Sequence, residues 1–131
     1  MPIIYLSPST QENNYFVTGG TEEQYMNLLA DKMVPYLDAS GIRYVRNTPN
    51  MTAVSSIAAS NAGNYDLHLA LHSNAAPEGK YGTARGSIVF YYPGSTQGQK
   101  AAQIIADGLK AIYPNPKRGR AEGTAAIGEV R

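Results

Sequence analysis

The stretch Tyr65–Ala76 constrains the chain most. Within it Leu67, Leu69 and Leu71 alternate with His68, Ala70 and His72. Successive side chains of a strand point to opposite faces, so this is a strand with leucines on one face and both histidines of the sequence on the other. The run Ser73-Asn74-Ala75-Ala76-Pro77 stops it. Open α/β sheets bind ligands at the carboxyl ends of their strands, and His72 stands at such an end. A packed histidine with a satisfied hydrogen bond is the structural alternative, and the strand by itself leaves both open.

The flanking segments supply the rest of an α/β fold. Ile3–Leu6 is a β-branched and aromatic run, a first strand buried on both faces. The polar loop after it ends at Gly19-Gly20, and a first strand-to-helix loop of that length is usually functional. Thr21-Glu22-Glu23-Gln24 is a capping box that opens a helix. Its apolar positions are Tyr25, Leu28, Leu29, Met33, Tyr36 and Leu37. Pro35 removes a helix hydrogen bond and predicts a kink, or an end to the regular helix near Val34. Gly41 is the stop.

Ile42–Arg46 reads as a second strand, and Met51 or Thr52 opens a short Ala- and Ser-rich helix to about Ala62, ended by Gly63. Asp66–Leu71 is the third strand and Gly86–Tyr92 the fourth. Ser95 caps a last helix with a stripe of Ala101, Ile104, Ile105, Leu109 and Ile112, ended by Pro114 and Pro116. The tail Lys117–Arg131 shows no clear strand. The order β-α-β-α-β-β-α predicts an α/β fold with a mainly parallel sheet and helices on both faces. A doubly wound sheet would continue after the last helix, so the chain reads as one domain over 1–131 cut short at its C-terminus.

Composition narrows the partners. A net charge of +1 gives no electrostatic case for nucleic acid or an anionic membrane. The absence of cysteine excludes disulfides and thiolate metal sites, so a metal would need His, Asp, Glu or amide oxygen. No apolar run reaches the length of a membrane span. Met1-Pro2-Ile3-Ile4 lacks the basic region of a signal peptide, so the protein works where it is made, leaves by another route, or has lost a leader. Oligomeric state is not legible.

Glu23 lies in the first turn of the first helix, where the helix N-terminus alone suffices to stabilise a carboxylate. If strand ends and helix starts converge at one sheet edge, Glu23 and His72 meet there, with the Gln11 amide beside them. That is a donor set for an open zinc site. His68 lies about 13 Å from His72 along the strand, too far to share one metal, and reads as a packed or supporting residue. Arg85 is either a carboxylate-binding or a solvated loop arginine. Ser9 and Ser73 sit in no nucleophile elbow, and Gly19-Gly20 belongs to no dinucleotide or P-loop signature.

Taken together, these stretches resemble the zinc-dependent N-acetylmuramoyl-L-alanine amidases of the Amidase_3 type. The resemblance rests on Ile3–Ser9, Gly20–Glu23 with Asn27-Leu28, Gly41-Ile42, Ser60-Asn61, Asp66–Ala75 and Arg85–Tyr92. His72-Ser73-Asn74-Ala75 is its most specific block. It implies a three-layer α/β/α fold with a central twisted sheet, here lacking its C-terminal strand. It implies zinc held by two histidines and a glutamate, with His72 as the second histidine and Glu23 as the glutamate. The loop that should carry the first histidine reads Ser7-Pro8-Ser9-Thr10-Gln11, which leaves Gln11 as the candidate third ligand. Asn74 and Arg85 are the expected substrate-binding residues.

The resemblance also implies a general-base glutamate on a strand beyond Arg131. The expected activity is hydrolysis of the bond between N-acetylmuramic acid and L-alanine by a zinc-activated water, at the bacterial cell wall, with phage-type release as one export route. The alternative is a degenerate module that binds peptidoglycan or muropeptides without cutting them. A third reading, from another class, is a different zinc peptidase or a metal-free α/β binding domain.

Overall fold

The computed structural model describes residues 2–11, 15, 19–48, 50–73, 87–112 and 119–124. They fall into two compact units, Met1–Ser73 and Asn74–Arg131. Helices and parallel strands interleave in both, as expected of an α/β fold.

The first unit contains β1 (Ile3–Pro8), α1 (Glu22–Ala39), β2 (Arg43–Arg46), α2 (Ala53–Ala62) and β3 (Leu67–Leu71). Its sheet is parallel throughout, in the order β2-β1-β3. The central position of β1 explains its burial: Ile4, Tyr5 and Leu6 are nearly or fully enclosed. Their alternation sorts the two faces. Ile4 and Leu6 form the core with Ala30, and Met33, Leu37, Leu67, Leu69 and Leu71 pack against it. Tyr5 points the other way, edge-on to Tyr65, stacked with His68 at 5.3 Å, and within 4.0 Å of the Met51 sulfur. The strand pattern of leucines opposite histidines is therefore seen directly. His68 belongs to an aromatic cluster under the sheet.

Both helices of this unit start as the sequence predicts. Thr21 accepts the Gln24 amide while Gln24 accepts the Thr21 amide, and Thr52 and Ser55 repeat the reciprocal pattern. At the end of α1, Gly41 adopts φ +70°, the Ile42 amide bonds Leu37 and the Gly41 amide bonds Asp38. This double closure needs a left-handed residue, which glycine supplies without strain.

Of the two effects expected of Pro35, a kink or an early end, the early end does not occur: the helix runs through Pro35 to Ala39. Proline deprives the Asp31 carbonyl of its helix partner, and Asp31 is exposed, so water can serve that carbonyl. The buried stripe is also different. Tyr25, Leu28, Leu29 and Tyr36 are exposed, and the enclosed face runs through Met26, Ala30, Met33 and Leu37.

The second unit is a β-α-β element: β4 (Ser87–Tyr91), α3 (Thr96–Ile112) and β5 (Gly119–Gly123). Ser95 caps α3 as expected, accepting the Gly98 amide at 3.0 Å. The predicted stripe is shifted here too: Ala102 and Ala106 are buried, whereas Ile104 and Ile112 are exposed. The tail that shows no strand in the sequence forms β5, paired parallel with β4 from Ser87↔Gly119 to Tyr91↔Gly123. Gly-Arg-Ala-Glu-Gly has almost no strand propensity, so the ladder to β4 makes the strand and the local sequence does not. Among the described residues no helix is long and apolar enough to cross a membrane.

Candidate functional site

In the first unit the chain leaves β1 for β2 on one side and returns to β3 on the other. The point where this direction reverses lies between the carboxyl ends of β1 and β3, and adjoining loops part there to leave a crevice. Ser9 follows β1 and His72 follows β3; the Ser9 amide bonds the Leu71 carbonyl at 2.9 Å, which holds the two ends together. The start of α1 closes the third side.

Glu22, the first residue of α1, sits at the centre. Its side chain is fully buried. Its Oε2 accepts a hydrogen bond from Ser9 Oγ and lies 3.3 Å from His72 Nδ1. Its Oε1 accepts the Ser73 amide at 3.0 Å. A buried carboxylate is costly unless its oxygens are satisfied, and here three residues from the ends of two strands, Ser9, His72 and Ser73, contribute to satisfying them. His72 is about one third exposed, so the pair has a dry carboxylate and an imidazole that reaches solvent.

A second cluster fixes the end of β1. Asn47, at the end of β2, is buried, and its Nδ2 lies 3.1–3.2 Å from the Pro8 carbonyl, Ser7 Oγ and Ser56 Oγ. It ties α2 to the residue just before Ser9.

His72 stands at the strand end as expected, against a glutamate from the first turn of α1. The carboxylate that meets it belongs to Glu22. Glu23, one position on, lines a groove with Asn27 and Arg46. Gln11 is exposed and joins the site through its backbone: its amide donates to Ser9 Oγ at 3.2 Å and its carbonyl accepts the Glu23 amide at 3.4 Å. Asn74 and Arg85 lie outside the described residues.

Glu22 and Ser9 are the residues that sequence reasoning missed in these roles. A signal for Glu22 emerges only once the buried face of α1 is known. Extending the buried face of α1 back from Ala30 through Met26 at four-residue steps reaches Glu22, a carboxylate at the head of an apolar stripe. Drawing the stripe through Tyr25 and Leu29 hid it.

The donor set suits a metal edge. Bonds of about 2.0–2.1 Å in a tetrahedral zinc site put neighbouring donor atoms about 3.4 Å apart. Glu22 Oε2 and His72 Nδ1 are 3.3 Å apart. Among the described residues no group of three or more His, Cys, Asp or Glu converges. The third protein group at this point is the Ser9 hydroxyl, where a carboxylate or imidazole would complete such a group.

The family described as N-acetylmuramoyl-L-alanine amidase matches residues 9–129, nearly the whole chain and including every residue of this site. No curated protein sequence is similar enough to add to that match.

Proposed function

The chain belongs to the N-acetylmuramoyl-L-alanine amidase family, whose members act on peptidoglycan, and on that premise we propose that it hydrolyses the amide between the lactyl group of N-acetylmuramic acid and L-alanine at a zinc site built on Glu22 and His72. The observation that carries the reading is the buried carboxylate and part-exposed imidazole 3.3 Å apart at the reversal point of the sheet. Glu22 takes the ligand role that sequence position assigned to Glu23. Zinc, when bound there, supplies an acidified water and polarises the amide carbonyl.

The protein groups have distinct tasks. The Ser73 amide fixes one oxygen of Glu22, so that the other faces His72 and Ser9. Ser9 Oγ carries the proton directed at that oxygen, and Asn47 holds the strand end from which Ser9 projects. Asn74 and Arg85 serve substrate binding.

One observation favours the alternative, a non-catalytic peptidoglycan-binding module. At the β1 end, the side chain that meets Glu22 is a hydroxyl, a weaker zinc donor than imidazole. Incubating the full-length protein with purified peptidoglycan separates the two. The amidase reading expects new L-alanine amino termini without new reducing sugar ends, lost on chelation and restored by zinc. Co-sedimentation with peptidoglycan and no new amino termini at any zinc concentration establishes the binding module instead.

A further inference from the structure

The buried serines Ser7, Ser9 and Ser56 all have bonded hydroxyls. Ser7 and Ser56 meet the Asn47 side-chain amide, and Ser9 donates to Glu22. Ser73 breaks this pattern. Its Oγ is buried and has no hydrogen-bond partner among the described residues. A buried hydroxyl without a partner costs folding free energy, so a chain that keeps one needs a reason.

The place of Ser73 supplies one. It follows His72, and its amide holds Glu22 Oε1 at 3.0 Å. The hydroxyl therefore belongs to the rim of the candidate centre. Glu22 is not its partner, since Oε1 accepts the Ser73 amide and Oε2 meets Ser9 and His72. Ser73 as a whole residue is only half-buried. A turn about its Cα–Cβ bond, from one staggered well to the next, carries the hydroxyl from the inner side to the exposed one. No hydrogen bond of the hydroxyl opposes that turn.

We infer that Ser73 is a further substrate-contacting residue, whose hydroxyl turns outward on binding and donates to the carbonyl oxygen of the amide that is cut. The inference rests on the amidase reading above and adds one donor to that site. The acceptor follows from the chemistry. A serine hydroxyl carries one proton, and the carboxylate beside it is already supplied, so the proton is left for an oxygen that arrives with the ligand. In amide hydrolysis the carbonyl oxygen gathers negative charge towards the transition state, and a donor to it strengthens as that charge grows. The bond missing in the free protein is then made where it lowers the barrier.

The test uses the full-length, zinc-loaded protein, unaltered and as Ser73→Ala, with solubilised peptidoglycan fragments as substrate. Three quantities are read: the denaturant midpoint without substrate, zinc per chain, and kcat with KM from release of alanine amino groups. Removing a hydroxyl that bonds nothing in the free protein should leave the midpoint unchanged or raise it. Zinc per chain should stay the same. The kcat should fall about a hundredfold with little change in KM, the scale and pattern of losing one donor to a developing oxyanion. A lowered midpoint, or a variant that does not fold, makes the hydroxyl structural and overturns the inference. Lost zinc overturns it by placing Ser73 with the metal, and an unchanged kcat overturns it directly. In each of these cases turnover by the unaltered protein leaves the amidase reading standing. If the unaltered protein releases no amino groups, the amidase reading fails and takes the inference with it.

Discussion

At the scale of single residues, the candidate site turns on the difference between two adjacent glutamates. Glu22 is buried against His72, Ser9 and the Ser73 amide; Glu23 faces the groove. Glu22→Gln keeps the shape of the side chain but removes its charge. It should lower zinc affinity by about two orders of magnitude, the scale of losing one charged ligand from a small donor set. Glu23→Gln should leave zinc content near one per chain. Metal analysis of both variants after dialysis against buffered zinc checks this, and equal losses would remove Glu22 from its assigned role. Tyr5 offers a second residue-scale prediction. Burial pushes its phenol above the ordinary value of 10.0, the neighbouring Tyr65 adds to the rise, and a hydrogen bond with Ser56 opposes it. A raised folded pKa favours the neutral form, so this stability is complete below pH 10 and is lost as pH climbs through the folded value. Denaturant midpoints of the unaltered protein should fall above pH 10 more steeply than those of Tyr5→Phe, and parallel slopes would count against the assignment.

At the scale of elements, the caps are the most legible features and the buried faces the least. Thr21/Gln24, Ser95 and Gly41 act as their sequence signals predict, and Thr52, one of the two starts expected for α2, caps it, because a cap is a local contract between a few neighbouring residues. Which face of a helix is buried is decided by what lies across from it. Hence Ala30, Ala102 and Ala106 are inside while Leu28, Tyr36 and Ile112 are outside, against the order of hydrophobicity. Small residues allow close approach of helix to sheet, and a hydropathy stripe gives them too little weight. Strand β5 was hidden for a related reason, since its pairing with β4 is a nonlocal property. His72 was legible because a period of two and an abrupt polar stop mark a strand end locally; Glu22 was not, because its burial depends on the face of α1. The capping box at Thr21 also positions the first turn that carries Glu22. Thr21→Ala should cost about 1 kcal/mol of stability in denaturant titration. Its effect on zinc affinity should be much smaller than that of Glu22→Gln, since the Ser73 amide and Ser9 still hold the carboxylate.

At the scale of the whole molecule, the site is a consequence of topology. A β2-β1-β3 order forces the chain to reverse direction beside β1, and the three segments that meet there are far apart in sequence: the end of β1, the start of α1 and the end of β3. Unfolding scatters them, so a zinc ion held as proposed by Glu22 and His72 would bind the native chain and find no comparable site in the unfolded one. Such a ligand stabilises by mass action, about 2.7 kcal/mol when free metal exceeds its dissociation constant a hundredfold. Thermal unfolding followed by circular dichroism should therefore shift upward with zinc and keep rising with the logarithm of its concentration. At that zinc concentration the shift should shrink to a small fraction in Glu22→Gln and persist in Glu23→Gln and Thr21→Ala. A concentration-independent midpoint in the unaltered protein would mean that the carboxylate–imidazole pair holds β1, α1 and β3 together by itself. The Ser9, Glu22 and His72 contacts would then be structural, and the family's chemistry would have been given up in this chain while its fold was kept.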